Sequence, residues 1–242
     1  MTLAGRADAA STPMYEEVPE LASSGVRAFT TTRAAGSFGV ATEEPVRLVM
    51  ERWNTLRREL APGGPRLATS HQVHGNRVLL HGAAWEGWLR ANEGDGHATL
   101  DRGTALAVSI ADCVPVFLAH PSGALALLHS GWRGTAARIV ERALDLLGSR
   151  GIPSGELSMH LGPAICGGCY EVSPDVFQRL TGRRVDSPST VDLRAIIADQ
   201  ARLRGVRRIT TSASCTRCNH DRFFSHRAGD AGRQVGVMIA PL

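Results

Sequence analysis

The chain has 242 residues, of which 43% are hydrophobic and 21% are charged, and its formal net charge is +4. A chain of this length can bury a core large enough to fold without disulfides, and no apolar run approaches the roughly 20 residues of a membrane-spanning helix. All 27 residues counted as Lys or Arg are arginines, which excludes Schiff-base chemistry and a phosphate-loop lysine. The mild, dispersed charge favours an anionic small molecule such as phosphate over nucleic acid or a membrane.

The N-terminal segment differs in composition from the rest of the chain. Residues 1–24 contain Ala, Ser, Thr and Pro without hydrophobic periodicity, which predicts a partly ordered tail before a single domain over 25–242. The N-terminus has no apolar block after a basic start, so it does not resemble a secretory signal. We therefore expect a cytoplasmic protein in which some of the five cysteines bind metal or react, rather than pair as disulfides.

The predicted elements begin with a strand over 26–32 and an amphipathic helix over 45–60, which starts with a proline in the first turn. β-Branched and aromatic runs between Gly, Pro and Asp predict the following strands: 67–71, 78–80, 105–110, 114–119, 124–129, 157–161, 206–211 and 234–240. Further helices are predicted over 135–147, from Ser173 onward, and over 192–204. Consecutive strands followed by mixed helices and strands predict an α+β domain with mixed β-sheets packed with helices.

Histidine and cysteine occur where predicted strands meet turns, in HQVHG (71–75), ADCVP (111–115) and LHSGWRG (128–134). Catalytic zinc commonly takes three protein ligands and leaves a fourth position for water. His74, Cys113 and His129 would supply two nitrogens and one thiolate, leaving about one positive charge to acidify a bound water. The spacing alone leaves two other interpretations open, namely buried structural side chains, or Cys113 as a nucleophile with His129 as its base and Asp112 nearby.

Six blocks carry a resemblance to a known family. They are FTTTR (29–33), QVHGNRV (72–78), ALAVSIADCVPVFLA (105–119), HSGWRG (129–134), GPAICGGCYEV (162–172) and SCTRCNHDRFFSHR with GRQ (214–234). In this order they resemble the bacterial laccase-like polyphenol oxidases, also described as purine nucleoside phosphorylases with adenosine deaminase activity and, in part, as peptidoglycan editing factors. The resemblance extends from about residue 26 to the C-terminus. It implies that His74, Cys113 and His129 bind Zn²⁺, or alternatively Cu²⁺.

The resemblance also implies a purine nucleoside and phosphate as substrates. Arg33, Arg133 and Arg227 are candidates for phosphate or ribose recognition because a guanidinium offers a rigid fork of donors. Arg133 also precedes the helix predicted from residue 135, and a helix N-terminus favours anions. Phe224 is a candidate wall for the purine. In deamination, a metal-activated water would attack C6 while Asp112 or a second water relays protons.

The sequence leaves other functions open. Cys113 could serve a hydrolase or amidase that edits peptidoglycan precursors, and a non-catalytic binding protein is a further alternative. A copper-dependent phenol oxidase is disfavoured because one site with one thiolate lacks the histidine cluster of multicopper chemistry. One segment departs from the family pattern, because residues 36–40 lead almost directly into the first helix where relatives have a sequence resembling SLNLGLHVGDD.

Two CxxC pairs, Cys166 with Cys169 and Cys215 with Cys218, would in isolation indicate a structural zinc site. Three of these cysteines stand in blocks where related chains often have cysteines without a known four-cysteine site. The sequence therefore favours buried or partly exposed thiols over a second metal.

Overall fold

The computed structural model describes residues 12–40, 44–60 and 66–242. The strands of this part of the chain are β1 (Tyr15–Glu17), β2 (Arg27–Thr31), β3 (Arg66–Ser70), β4 (Val78–His81), β5 (Trp88–Ala91), β6 (Gly96–Thr99), β7 (Thr104–Ile110), β8 (Val114–Ala119), β9 (Leu125–Ser130), β10 (Ser158–Leu161), β11 (Glu171–Val172), β12 (Ser189–Thr190), β13 (Arg208–Thr211) and β14 (Gln234–Ile239). The α-helices are α1 (Val46–Leu60), α2 (Trp132–Ala136), α3 (Ile139–Gly148), α4 (Pro174–Thr181) and α5 (Leu193–Leu203). Short 3₁₀-helices occupy Pro19–Ser24, Arg33–Ala35 and Ser154–Glu156.

Two six-stranded sheets form the centre of the fold. The first has the order β1-β2-β14-β7-β3-β5 and the second β13-β10-β8-β9-β6-β4. Both are mixed: β3 pairs in parallel with β7 while β14 pairs with β7 antiparallel, and β10 is parallel to β13 but antiparallel to β8. The predicted α+β class with mixed sheets is confirmed.

The sheets stack face to face and helices cover their outer faces. Leu106 of β7, Phe117 of β8 and Leu127 of β9 are fully buried in the core between the sheets. The apolar stripe of α1, which includes Trp53, packs on the outer face of the first sheet. Helices α3 and α5 cover the second sheet. Strands β8 and β9 are consequently buried along their whole length, which explains their continuous apolar sequences.

The structure departs from the predicted elements at several points. Residues 15–24, assigned to the tail, belong to the fold, because β1 pairs with β2 and Leu21 is buried; residues 1–11 of the predicted tail lie outside the described residues. The helix predicted over 135–147 is instead the two helices α2 and α3, separated by Arg138 in the left-handed conformation. In the described part of the chain, no helix combines the length and apolar character needed to cross a membrane.

The topology brings several loops to one end of the second sheet. Strand β9 lies between β6 and β8, with Gly96 opposite Leu128 and Val114 opposite Ser130. The residues just before β6 and β8 therefore lie beside the end of β9, where the histidine and cysteine side chains described below come together.

Candidate metal centre

His74, Cys113 and His129 meet at this end of the sheet. His129 lies near the end of β9, Cys113 directly precedes β8, and His74 lies in the loop between β3 and β4. One ligand atom from each of the three side chains lies within 4.8 Å of the other two. The two imidazole rings are nearly perpendicular, with centroids 4.8 Å apart. The structure therefore brings together the three residues that the sequence singled out.

A fourth residue, Asp95, organises the cluster. Its side chain is fully buried, and its Oδ1 is 2.8 Å from Nδ1 of His129. The same oxygen accepts the backbone N–H of His74 at 2.9 Å, and Oδ2 accepts those of Val73 at 3.1 Å and Gly75 at 2.8 Å. Because Nδ1 faces a carboxylate, the imidazole of His129 is oriented with Nε2 free to bind a metal, as in carboxylate–histidine–metal arrangements.

Asp95 is not among the site residues predicted from the sequence. It lies between the short strands β5 and β6, whose sequences WLRA and GHAT have weak strand signals. The spacing between an aspartate and a histidine 34 residues later carries no recognisable motif. Only the pairing of β6 with β9 brings the two side chains together.

The electrostatics of the cluster favour a thiolate. Burial alone would raise the pKa of the Cys113 thiol, but the charge of His129 and hydrogen bonds from both histidines outweigh burial and lower this pKa to about 6. Burial likewise opposes the charged form of His129, but the Cys113 thiolate and Asp95 raise its pKa to about 9. Burial would also raise the pKa of Asp95, yet the hydrogen bonds from His129 and the backbone lower it. The residues thus hold negative charge at Cys113 and Asp95.

Backbone geometry around the cluster is unusual. His74 and Asp112 have φ values of 61° and 82°, in the left-handed region that non-glycine residues rarely occupy. Gly131 is required for a different reason: a Cβ atom there would lie 2.8 Å from Sγ of Cys113. A side chain at position 131 would displace the thiolate.

A cavity of about 640 Å³ opens above the cluster, a size typical of small-molecule sites. His74, Cys113 and His129 all line it. Its described lining includes one carboxylate, Asp112, and the following arginines: Arg90, Arg133, Arg227 and Arg233. The cavity is therefore suited to an anionic group beside the cluster.

Two predicted substrate arginines are part of this wall. The Arg133 guanidinium carbon lies 4.4 Å from the centroid of the Trp132 ring, and no carboxylate among the described residues pairs with it. Arg133 lies within α2 rather than before a helix as predicted. Arg227 donates to the carbonyl of Glu171 at 3.0 Å and lies over Tyr170. Trp132 and Tyr170 also line the cavity and offer aromatic surfaces.

Arg33 and Phe224, also predicted to contact substrate, pair with each other and with the loop before β14. Arg33 donates to the carbonyl of Phe223 at 3.1 Å and forms an ion pair with Asp230. The ring of Phe224 packs on the Arg33 guanidinium, 4.5 Å from its centroid. Both side chains stabilise the loop before β14, and neither lines the cavity.

Asp112 lines the cavity, but its carboxylate is already engaged. Oδ1 accepts the hydroxyl of Thr216 at 2.6 Å, and Oδ2 accepts the backbone N–H of Arg227 at 2.7 Å. The geometry therefore favours a role in positioning the loop that carries Arg227 over the predicted role in proton relay.

The three clustered side chains fit a transition metal. Two imidazole nitrogens and one thiolate are donors that zinc accepts in catalytic sites with an open position, and copper also accepts them. The buried partner of His129 supplies the orienting contact that such ligands commonly have. The exposed side of the cluster faces the cavity, where a substrate would bind.

Comparison with known proteins defines the class. The family model of the multi-copper polyphenol oxidoreductase laccases matches residues 27–241. A purine nucleoside phosphorylase of Mycobacterium tuberculosis is 34% identical over 231 residues, which cover 88% of this chain and 91% of that protein. The chain therefore belongs to the multi-copper polyphenol oxidoreductase laccase family, and the resemblance found in the sequence is confirmed.

Two further relatives extend the comparison. Adenosine deaminase RL5, from an unknown prokaryotic organism, is 33% identical over 147 residues, which cover 55% of this chain and 56% of that protein. The crystal structure of the hypothetical protein YfiH from Bacillus licheniformis superposes with a TM-score of 0.84 at 22% identity, covering 95% of this chain and 97% of that one. The likeness to the YfiH structure shows that the two chains share a fold.

Asp95 offers a test of how the centre is organised. Asp95→Asn keeps the shape of the side chain but removes the charge that orients His129, so we expect zinc affinity to fall about 10- to 100-fold. Affinity would be measured by competition with a chromophoric chelator. Asp199→Asn, at an exposed aspartate of α5, is the matched control and should not change affinity. Unchanged affinity in Asp95→Asn would contradict the assigned role.

Proposed function

We propose that this chain is a metal-dependent purine nucleoside phosphorylase that also deaminates adenosine. The observation that carries the proposal is the position of the His74, Cys113 and His129 cluster at a cavity of about 640 Å³ with four arginines in its wall. The cavity combines a site for a metal with a surface for phosphate. Relatives named purine nucleoside phosphorylase and adenosine deaminase support the same pair of reactions.

His74, Cys113 and His129 would hold the metal, with Zn²⁺ as the proposed ion and Cu²⁺ as the alternative. When bound, the metal supplies a Lewis acid that polarises a substrate atom or acidifies a water. Asp95 orients the ring of His129 so that its Nε2 atom faces the position of the metal. The lowered pKa of Cys113 supplies a thiolate at neutral pH. A reducing, cytoplasmic location would preserve this thiolate, and we propose that location for the protein.

The arginines of the cavity would bind phosphate. The guanidinium groups of Arg133 and Arg227 each pack on an aromatic ring. Arg227 also donates two hydrogen bonds to the Glu171 carbonyl, which fix its orientation further. A guanidinium pairs with phosphate through two parallel hydrogen bonds. In phosphorolysis these residues would hold phosphate against C1′ of the ribose as the purine leaves.

Aromatic and imidazole groups of the same cavity would bind the nucleoside. Trp132 and Tyr170 present ring surfaces to a purine. Burial and the Cys113 thiolate raise the pKa of Tyr170 to about 12, so its phenol stays protonated and can donate a hydrogen bond. His71 and His226 also line the cavity and are suited to giving a proton to a departing purine or ammonia.

Product analysis tests this function. Adenosine incubated with the purified, zinc-loaded protein should give adenine and ribose 1-phosphate when phosphate is present and inosine when it is absent. Chromatography of the bases and nucleosides distinguishes these products. Cys113→Ala protein is the control and should give neither reaction. If the metal-loaded protein leaves adenosine and inosine unchanged with and without phosphate, the proposed function is wrong.

Arg133 provides a test of the phosphate site. Arg133→Gln removes a charge from the cavity wall, so the KM for phosphate in phosphorolysis should rise about 10-fold, equivalent to roughly 1.4 kcal/mol. Deamination of adenosine, which uses no phosphate, should keep its rate. The control is Arg150→Gln, at an exposed position after α3. Equal losses in both reactions would instead indicate that Arg133 supports the fold or binds the nucleoside.

One observation favours a second candidate function. Asp95, His129 and Cys113 have the order of partners found in cysteine hydrolases, where a carboxylate orients a histidine that activates a thiol. A hydrolase or amidase acting on peptidoglycan precursors would use this arrangement without a metal. His74 has no evident role in such a mechanism, which is why we prefer the metal centre.

Chelation and alkylation separate the two functions. A metal-bound thiolate resists alkylation, whereas a free thiolate paired with a histidine reacts quickly at neutral pH. We expect a chelator to abolish adenosine turnover and to expose Cys113 to iodoacetamide, as followed by peptide mapping. Rapid alkylation of Cys113 in fully metallated, active protein would favour the hydrolase.

A further inference from the structure

The two CxxC pairs lie together in the fold. Cys166 and Cys169 follow β10, and Cys215 and Cys218 follow β13. Strands β10 and β13 are parallel neighbours, so both segments leave the second sheet at the same edge. A further parallel bridge joins Ala164 to Cys215 beyond the strands. Cysteines 49 residues apart are thereby brought into one cluster, which we call the four-cysteine cluster.

The sulfur atoms of this cluster are close enough together to share one metal ion. All four Sγ atoms lie within 4.8 Å of one another, and Sγ of Cys169 is 3.4 Å from Sγ of Cys218. All four cysteines are free. A tetrahedral zinc with Zn–S bonds of about 2.3 Å requires sulfur separations of about 3.8 Å. Small side-chain movements would bring the cluster to that geometry.

The backbone around the cluster favours a thiolate at Cys215. Sγ of Cys215 accepts the N–H of Cys166 at 3.2 Å and that of Cys218 at 3.4 Å. The Cys166–Cys169 turn is closed by the N–H of Cys169, which donates to the carbonyl of Cys166 at 3.0 Å. The two N–H donors on the Cys215 sulfur stabilise negative charge there. Several thiolates at such short range repel one another unless a cation lies between them.

We propose that Cys166, Cys169, Cys215 and Cys218 bind a structural Zn²⁺, separate from the centre at Cys113. Four protein ligands fill a tetrahedral zinc completely, so this site has no open position for a substrate. The proposal does not rest on the function assigned to the cavity. It replaces the expectation from the sequence that these cysteines are unmetallated thiols.

The position of the four-cysteine cluster gives the metal a role. The segment with the first pair carries Ile165 and Tyr170, which line the cavity. The segment with the second pair carries Thr216, whose hydroxyl donates to Asp112 at 2.6 Å. A metal bound by all four sulfurs would tie these segments together and fix one wall of the cavity.

Metal content of the full chain, purified under reducing conditions, tests the proposal. Elemental analysis should find about two zinc ions per wild-type chain, about one in Cys113→Ala, and about one in Cys169→Ser or Cys218→Ser. The Cys113→Ala variant is the matched control because it removes a thiol from the other cluster. Wild-type protein with one zinc that Cys113→Ala loses completely would overturn the proposal.

A spectroscopic measurement covers the case in which the Cys169 and Cys218 variants do not fold. Cobalt-substituted Cys113→Ala should show intense sulfur-to-cobalt charge-transfer absorption and the visible bands of tetrahedral cobalt, because the four-cysteine cluster is intact in it. Absence of these bands contradicts the site. Mass spectrometry that finds Cys169 joined to Cys218 by a disulfide in the freshly purified protein also contradicts it.

Discussion

The geometry of the candidate metal centre depends on one buried carboxylate, that of Asp95. A charge without access to solvent costs several kcal/mol unless it is paired and hydrogen-bonded. Asp95 accepts three backbone N–H groups from residues 73–75 and faces the ring nitrogen of His129. These contacts offset its desolvation and also fix two histidines, one through its backbone and one through its ring. The cluster is therefore preorganised before any metal binds.

The left-handed residues follow from the same arrangement. His74 and Asp112 each occupy a conformation that costs a non-glycine residue roughly 1–2 kcal/mol. At His74 the carboxylate of Asp95 holds the turn. Three contacts stabilise the conformation of Asp112. Its carboxylate accepts from the Thr216 hydroxyl and the Arg227 N–H, and its carbonyl accepts the N–H of Ile165. Strained backbone at both positions next to the cluster is thus maintained by hydrogen bonds from distant segments.

The sequence was informative where pattern and packing coincide. Continuous apolar runs predicted β8 and β9, and the resemblance identified the three residues that cluster at their ends. Asp95 could not be predicted, because its role depends on the pairing of β6 with β9 rather than on local sequence. Arg33 and Phe224, predicted to contact substrate, have other partners in the structure for a related reason. A motif identifies residue types, but the direction of a side chain is set by its partners, here Asp230 for Arg33 and the Arg33 guanidinium for Phe224.

The buried carboxylate also changes the charge at the centre. A divalent cation bound by two neutral imidazoles and the Cys113 thiolate would keep about one positive charge. Asp95 adds a second negative charge, so the two negative charges would just offset the cation. In the proposed function, attraction for phosphate would then come mainly from the arginines of the cavity wall. Solvent screens these arginines, so each would contribute roughly 1 kcal/mol or less. Under the proposed function, phosphate would therefore bind at the arginine wall, and the metal centre would act on the nucleoside.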